Sequence, residues 1–262
     1  PLVRYYVLEN PMDNLITDAM HWKYKDKVDF PKIEFSLFGL DLVEPNALIG
    51  DTVILLVALY LARKTQKLSN GSLFFKYWMW FYVIFGLGFF AGGLGHAFFN
   101  YWGVPGKYAS WLIGIVAAFF IELAMISIYP IVARRKVFNQ MAFGKLVLAL
   151  TVEIIVLATV DLTIEPAKGL IVPTISSVIG LGIILGGLGY YYQKKIHPSF
   201  KYLWMSTLVL IPNTAIQGMK INIHPWFDRN DFSHVLLITG CFLYMVTIQR
   251  YADFLGAEKV KD

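Results

Sequence analysis

What most constrains this 262-residue chain is the length of its apolar runs. A helix needs roughly 20 mostly apolar residues to cross the hydrocarbon of a bilayer, and several stretches reach that length. A soluble core would instead spread its apolar residues by amphipathic period. Composition agrees: 57% of the residues are hydrophobic and only 16% charged, against about 25% charged in soluble domains. A soluble enzyme, a disordered chain and a disulfide scaffold do not fit. The chain reads as an all-α, polytopic membrane protein.

Seven apolar segments are predicted, near Ala47–Ala62, Leu73–Trp102, Tyr108–Val132, Gly144–Leu162, Gly169–Tyr192, Tyr202–Gln217 and Phe232–Arg250. The first and sixth are short and carry Asp51, and Pro212 with Asn213. This divides the chain into an N-terminal cap over residues 1–46, a seven-helix bundle over 47–250 and a tail over 251–262. Within the cap, Asn10, Pro11 and Asp13 read as a helix start with Leu15, Ile16 and Met20 as its apolar face. Ile33, Phe35 and Leu37 alternate with polar neighbours, as a strand or an interfacial segment would. Pro1 opens no basic-then-apolar leader, so no signal peptide is expected.

In a membrane protein the net charge of +5 is informative through its placement. Arg63, Lys64, Lys67, Arg134, Arg135, Lys136, Lys145, Lys194, Lys195, Lys201, Arg250, Lys259 and Lys261 fall on one set of loops and the tail. Only Lys107, Lys168, Lys220 and Arg229 fall on the other set, thirteen against four. The positive-inside rule then sets the N-terminus outside and the C-terminus in the cytoplasm. Trp78, Trp80, Tyr82, Trp102, Tyr190, Tyr191 and Tyr192 lie toward span ends, where an interfacial aromatic belt is expected.

Gly86-Leu87-Gly88 with Gly92-Gly93-Leu94-Gly95 recurs as Gly180-Leu181-Gly182 with Gly186-Gly187-Leu188-Gly189. Two inverted repeats would produce this echo. So would convergent small-residue stripes that let helices approach, which is the stronger reading. The same stripes on the second and fifth spans offer surfaces for a helix-packing partner protein.

Ionisable groups within spans are costly and therefore functional candidates. On the expected topology His96, Asp161, His224 and His234 share the outer side, while Glu122 and Glu153 lie deeper. Imidazole and carboxylate suit zinc, whose bound water is a nucleophile near neutral pH. The expected metal ligands are His96 and His234 with His224 as a third, and Asp161 or Asp231 is the expected catalytic proton-transfer group. Each also has a plainer reading as an interfacial hydrogen-bonding residue or helix end. The single cysteine, Cys241, permits no intrachain disulfide and no Cys-rich zinc site.

The segment Asn230-Asp231-Phe232-Ser233-His234-Val235-Leu236-Leu237, followed by Thr239-Gly240, resembles the last helix of the alkaline ceramidase and adiponectin-receptor superfamily of seven-helix membrane hydrolases. Gly92-Gly93-Leu94-Gly95-His96 resembles that family's second-helix Ser-x-x-x-His, and Glu44 with Asp51 falls at the spacing of its Glu and Asn pair. The outside N-terminus is that of the ceramidase branch. Three positions depart from the pattern: Asn230 replaces the first His of the last helix and Gly92 replaces the Ser. Lys107, Tyr108 and Ser110 occupy the stretch where helix three would begin with Asp.

The resemblance implies zinc-dependent hydrolysis of a lipid amide or ester, with a lipid-like substrate entering from the membrane. The departures favour a second class, a non-catalytic subunit of a membrane complex or a lipid- or ligand-binding receptor. A transporter, resting on the Gly echo with Glu122 and Glu153, is a third. No lysine in the seventh span could carry retinal, and the motifs of G-protein-coupled receptors are missing. Nor is there a Gly-rich phosphate loop or a Ser nucleophile elbow. No nucleotide, flavin or nucleic acid is expected.

Overall fold

The structure is a computed structural model that describes residues 32–69, 71–219, 221–224 and 226–259. The helix start expected at residues 10–13 lies outside them. The chain first forms a β-hairpin, β1 (Glu34–Leu37) against β2 (Leu40–Val43), with Glu34 opposite Val43. Phe38 and Gly39 turn it with φ of 51° and 78°, the left-handed pair that a two-residue type I′ turn needs. The alternation at Ile33, Phe35 and Leu37 is thus realised mainly in a strand.

Seven long helices follow among the described residues: α1 (Pro45–Leu68), α2 (Leu73–Ala97), α3 (Tyr108–Ser127), α4 (Val132–Thr159), α5 (Pro166–Lys195), α6 (Lys201–Gly218) and α7 (Arg229–Lys259). Each predicted apolar segment falls on one of them. Six are long and apolar enough to cross a membrane, namely all but α6, which has 18 residues and Pro212 inside it. The architecture is that of a helical multi-pass membrane protein. α1 packs along α2 and α2 along α3; α7 closes against α1 and α6, while α4 lies at the periphery against α3 and α5.

Glycines bring α1, α2 and α3 together. A Cβ on Gly86 would stand 2.9 Å from the Ala58 Cβ of α1, and one on Gly93 equally close to the Asp51 Cβ. One on Gly95 would come within 2.5 Å of the Gly106 carbonyl oxygen, so backbone meets backbone there. The stripe on α2 is therefore used inside this chain, as close helix packing in membranes uses small residues.

Its echo in α5 has another geometry. Val178–Leu188 winds as a π-helix between α-helical Ile171–Ser177 and Gly189–Lys195. Within it the buried residues are Gly180 and Leu185, five apart, the spacing that i→i+5 bonding brings to one face. The Thr207 hydroxyl of α6 donates to the Leu181 carbonyl of this stretch at 2.9 Å.

Two sequence expectations are corrected. Trp78, Tyr82 and Tyr192 do not face outward as a belt would but rank among the largest fully buried side chains. They pack where α2, α5 and α7 meet, and the phenols of Tyr82 and Tyr192 donate to the carbonyls of Cys241 and Met125 at 3.0 and 2.8 Å. Trp80, Trp102 and Tyr190 are exposed, as a belt requires. Lys145, counted with the third loop, lies inside α4 and is ion-paired to Glu122 of α3. The charge asymmetry survives its removal.

Candidate functional site

The polar residues with the most elaborate surroundings gather at the hairpin end of α1, α2 and α7. The hairpin is fixed there by the Asp41 N–H, which donates to the Tyr101 hydroxyl at 2.9 Å, and by Asn100, which donates to the Asp41 carbonyl at 3.2 Å. This delivers Glu44 to the head of α1 in a left-handed conformation, φ 52° and ψ 59°. Such a backbone costs on the order of 1–3 kcal/mol in a non-glycine residue and tends to occur at functional sites. Pro45 then starts the helix with its ring pre-set for the first turn.

Glu44 is 4% exposed. Its two carboxylate oxygens accept from different partners, Oε1 from Lys32 Nζ and Oε2 from His96 Nδ1, each at 2.5 Å. Burial opposes ionisation of this carboxyl, but Lys32, His96 and Lys107 outweigh it and hold Glu44 well below the usual carboxylate range. A group so depressed contributes stability above the ordinary carboxylate pKa of about 4.3 and loses it as pH falls toward the folded value. Glu44→Gln should therefore melt below wild type by a constant margin from pH 7 to about pH 5, and the margin should close under more acid conditions. A margin that widens between pH 7 and 6 would assign the effect to a charged imidazole instead.

One tier deeper, Asp51 lies seven residues into α1, about 10 Å along its axis. His234 of α7 meets it, with Nε2 3.0 Å from Oδ1, an ion-pair distance without hydrogen-bond alignment. Both residues are buried. The His234 ring lies edge-on to Phe89 of α2 and presses Nδ1 against Gly50, where an added Cβ would sit 2.3 Å from that nitrogen. Gly92, where the resembled family has Ser, stands between α1 and α3: its Cβ would lie 3.7 Å from both Asp51 Oδ2 and Ser110 Oγ.

The start of α7 is tied to the same end. Asn46 donates to Asp231 Oδ2 at 2.7 Å, and that oxygen also accepts from the Asp228 N–H at 2.8 Å. Asp228 in turn caps α7 by accepting from the Asn230 N–H at 2.7 Å. Burial, then the nearby Glu44 charge, pushes the Asp228 carboxyl up from its ordinary value. Gln217 of α6 donates to Ser233 Oγ at 2.7 Å, and Ser233 also bonds Asn213.

The residues expected from sequence are distributed as follows. His96 and His234 both reach the hairpin end, each held by a carboxylate of the α1 region. Asp231 joins them as a structural tie between α1 and α7. His224 is exposed in the α6–α7 loop, where its Nδ1 accepts from the Trp226 N–H at 3.2 Å. Asp161 is exposed beyond the end of α4, accepting from the Thr163 N–H at 3.0 Å and within electrostatic reach of Tyr108.

Among the described residues no three His, Cys, Asp or Glu side chains are grouped so as to hold a metal ion. His234 has one nitrogen against Asp51 and the other against Gly50; His96 has Nδ1 on Glu44. Sequence reasoning missed Lys32, Lys107 and Arg229 as parts of this end. Their only signal was sparseness, basic residues on the side that the charge rule leaves nearly bare.

Glu122 of α3 and Glu153 of α4 lie apart from this end. Glu122 is paired with Lys145. Glu153 is fully buried, and neither of its carboxyl oxygens has a hydrogen-bond partner among the described residues.

The chain belongs to a family of unknown function, DUF6962, whose model matches residues 47–253. Asp51, His96, Lys107, Arg229 and His234 lie within the matched stretch, and Lys32 and Glu44 precede it. No curated protein and no solved structure matches the chain.

Proposed function

Proceeding from that family membership, we propose that the chain is a seven-helix integral membrane protein that binds a lipid-like ligand at its hairpin end. In this reading α6 is the seventh span, the hairpin lies outside and the C-terminus is cytoplasmic. The observation that carries the reading is the pair of stacked imidazole–carboxylate contacts, Glu44–His96 above Asp51–His234. Asp51 and His234 are buried within spans, where ionisable groups are expensive without a role. They sit where a ligand with a polar head and apolar tails would present its head.

The binding test is lipid exchange on the purified protein, with ceramide and diacylglycerol as probes. Asp51→Asn and His234→Ala are expected to weaken binding about tenfold or more, a loss of at least 1.4 kcal/mol. Unchanged binding in both folded variants would end the proposal. Orientation is checked by labelling Phe38→Cys, at a fully exposed hairpin tip, and Asp253→Cys, on the exposed surface of α7. The first should react from outside the membrane and the second only after permeabilisation; the native Cys241 is buried and adds no background label.

A second reading is hydrolysis of a lipid amide or ester. It is favoured by His96, whose Nδ1–H bond to Glu44 fixes the tautomer and leaves Nε2 as a base. Turnover of a ceramide-type amide that is lost in His96→Gln and retained after metal chelation would establish it. Stoichiometric zinc in the purified protein would restore the zinc-dependent form expected from the resemblance.

A further inference from the structure

The space beside Gly92 sets it apart from the other glycines of α2. An added Cβ would come to 3.0 Å or less from a neighbour at Gly86, Gly88, Gly93 and Gly95. At Gly92 the nearest atom is 3.6 Å away, which leaves room for a group of methyl size. The residue is half-buried, so this notch is open on one side. Its two walls are polar: Asp51 Oδ2 of α1 and Ser110 Oγ of α3 each lie 3.7 Å from the Cβ position.

Both walls accept hydrogen bonds. Asp51 is 4% exposed, and its other oxygen, Oδ1, lies against His234 Nε2 at 3.0 Å. Oδ2 is the oxygen left for a ligand, and a carboxylate can only accept. Ser110 gives its one hydroxyl proton to the Lys107 carbonyl at 2.8 Å, so its Oγ turns lone pairs to the notch. Lys107 itself, one turn before Ser110, holds its ammonium over the Phe99 ring, 5.3 Å from the centroid. A buried carboxylate oxygen without a donor is costly, and a charge-assisted hydrogen bond satisfies it best.

A hydroxyl brings one hydrogen to two acceptors, and a trimethylammonium brings none. A primary ammonium brings three, has the size of a methyl group and carries the charge opposite to that of a carboxylate. We infer that the notch at Gly92 binds a primary ammonium group between Asp51 and Ser110. The inference rests on the ligand-binding reading above and names the chemistry of the head group. The amine is the head of a membrane amphiphile or a soluble alkylamine, and both make the same contacts. Diacylglycerol, with one hydroxyl, satisfies one wall only.

The test measures how much dodecylamine, dodecanol and dodecyltrimethylammonium the purified protein retains in phosphatidylcholine nanodiscs, against empty nanodiscs. Dodecylamine is expected to saturate at one molecule per chain. Dodecanol keeps the tail and dodecyltrimethylammonium keeps the charge, yet both should bind about tenfold more weakly or worse. Gly92→Ala fills the notch and Ser110→Ala removes one acceptor, and each should raise the half-saturating concentration of dodecylamine about tenfold. Displacement of dodecylamine by butylamine at similar concentrations assigns a soluble amine, and displacement only at far higher ones assigns an amphiphile; either supports the site. The three probes on the wild-type protein decide the inference even where a variant fails to fold. No saturable binding of dodecylamine, equal binding of the trimethylammonium probe, or unchanged affinity in folded Gly92→Ala overturns it. Diacylglycerol binding that is lost in His234→Ala while dodecylamine never saturates would leave the lipid site standing and remove its ammonium.

Discussion

Lys145→Met should be among the most damaging single substitutions in the bundle. It leaves Glu122, whose side chain is 4% exposed, facing α4 without its cation. Removing one partner of a buried ion pair typically costs about 3–5 kcal/mol, because the remaining charge has lost its water and gained nothing. Replacing both partners is a different experiment. Lys145→Met with Glu122→Leu removes the stranded charge along with the pair, and such replacements are commonly neutral or even stabilising. The single variant is therefore expected to unfold well below wild type in detergent, and the double variant close to it. Reversible unfolding of the four proteins of the cycle measures the coupling. Equal stability of Lys145→Met and wild type would mean that Glu122 is solvated or protonated in the folded bundle.

Gly95→Ala should be nearly as harmful, for a reason unrelated to charge. The added methyl would stand 2.5 Å from the Gly106 oxygen and 2.8 Å from its carbonyl carbon. Neither is the free end of a side chain, so α2 and the turn before α3 must separate. Overpacking of this kind costs about 1–3 kcal/mol, occasionally more. Separation would also displace Lys107, next in sequence to Gly106. Gly92→Ala, one turn away, is the control: its methyl meets nothing closer than 3.6 Å. Similar melting points for the two variants would show that the helices are not in this close contact.

Much of the architecture was legible in the sequence because length and apolar content alone decide whether a helix can span. Each apolar run became a helix, and the alternation after Ile33 became a strand. Asp51, His96 and His234 could be singled out because a chain so poor in charge leaves few candidates. Which of them pair, and with which carboxylate, could not. Glu44 and His96 are 52 positions apart, and helix order does not reveal which face of α1 meets α2.

The aromatic residues misled for a related reason. Position along a span indicates depth, whereas Trp78 and Tyr192 are inside because of the direction they face. Lys145 shows the same limit from the other side: a lysine near a basic loop reads as part of it until its carboxylate is seen. The glycine echo was legible as sequence but not as geometry. In α2, Gly86, Gly93 and Gly95 meet neighbouring backbone; in α5, Gly180 packs on Ala118 and Gly189 on Leu203, while Gly182 and Gly187, five apart, have no neighbouring helix against them.

That π-bonded stretch gives α5 a property of phase. Its eleven residues fix how far the Gly189–Lys195 end is turned about the axis relative to Ile171–Ser177. A point substitution there changes one contact. One residue inserted or deleted re-indexes every side chain beyond it, swinging Tyr192 off the Met125 carbonyl and Gly189 off Leu203 together. The middle of this helix acts as a screw thread whose count, more than its letters, keeps the far half of the bundle aligned.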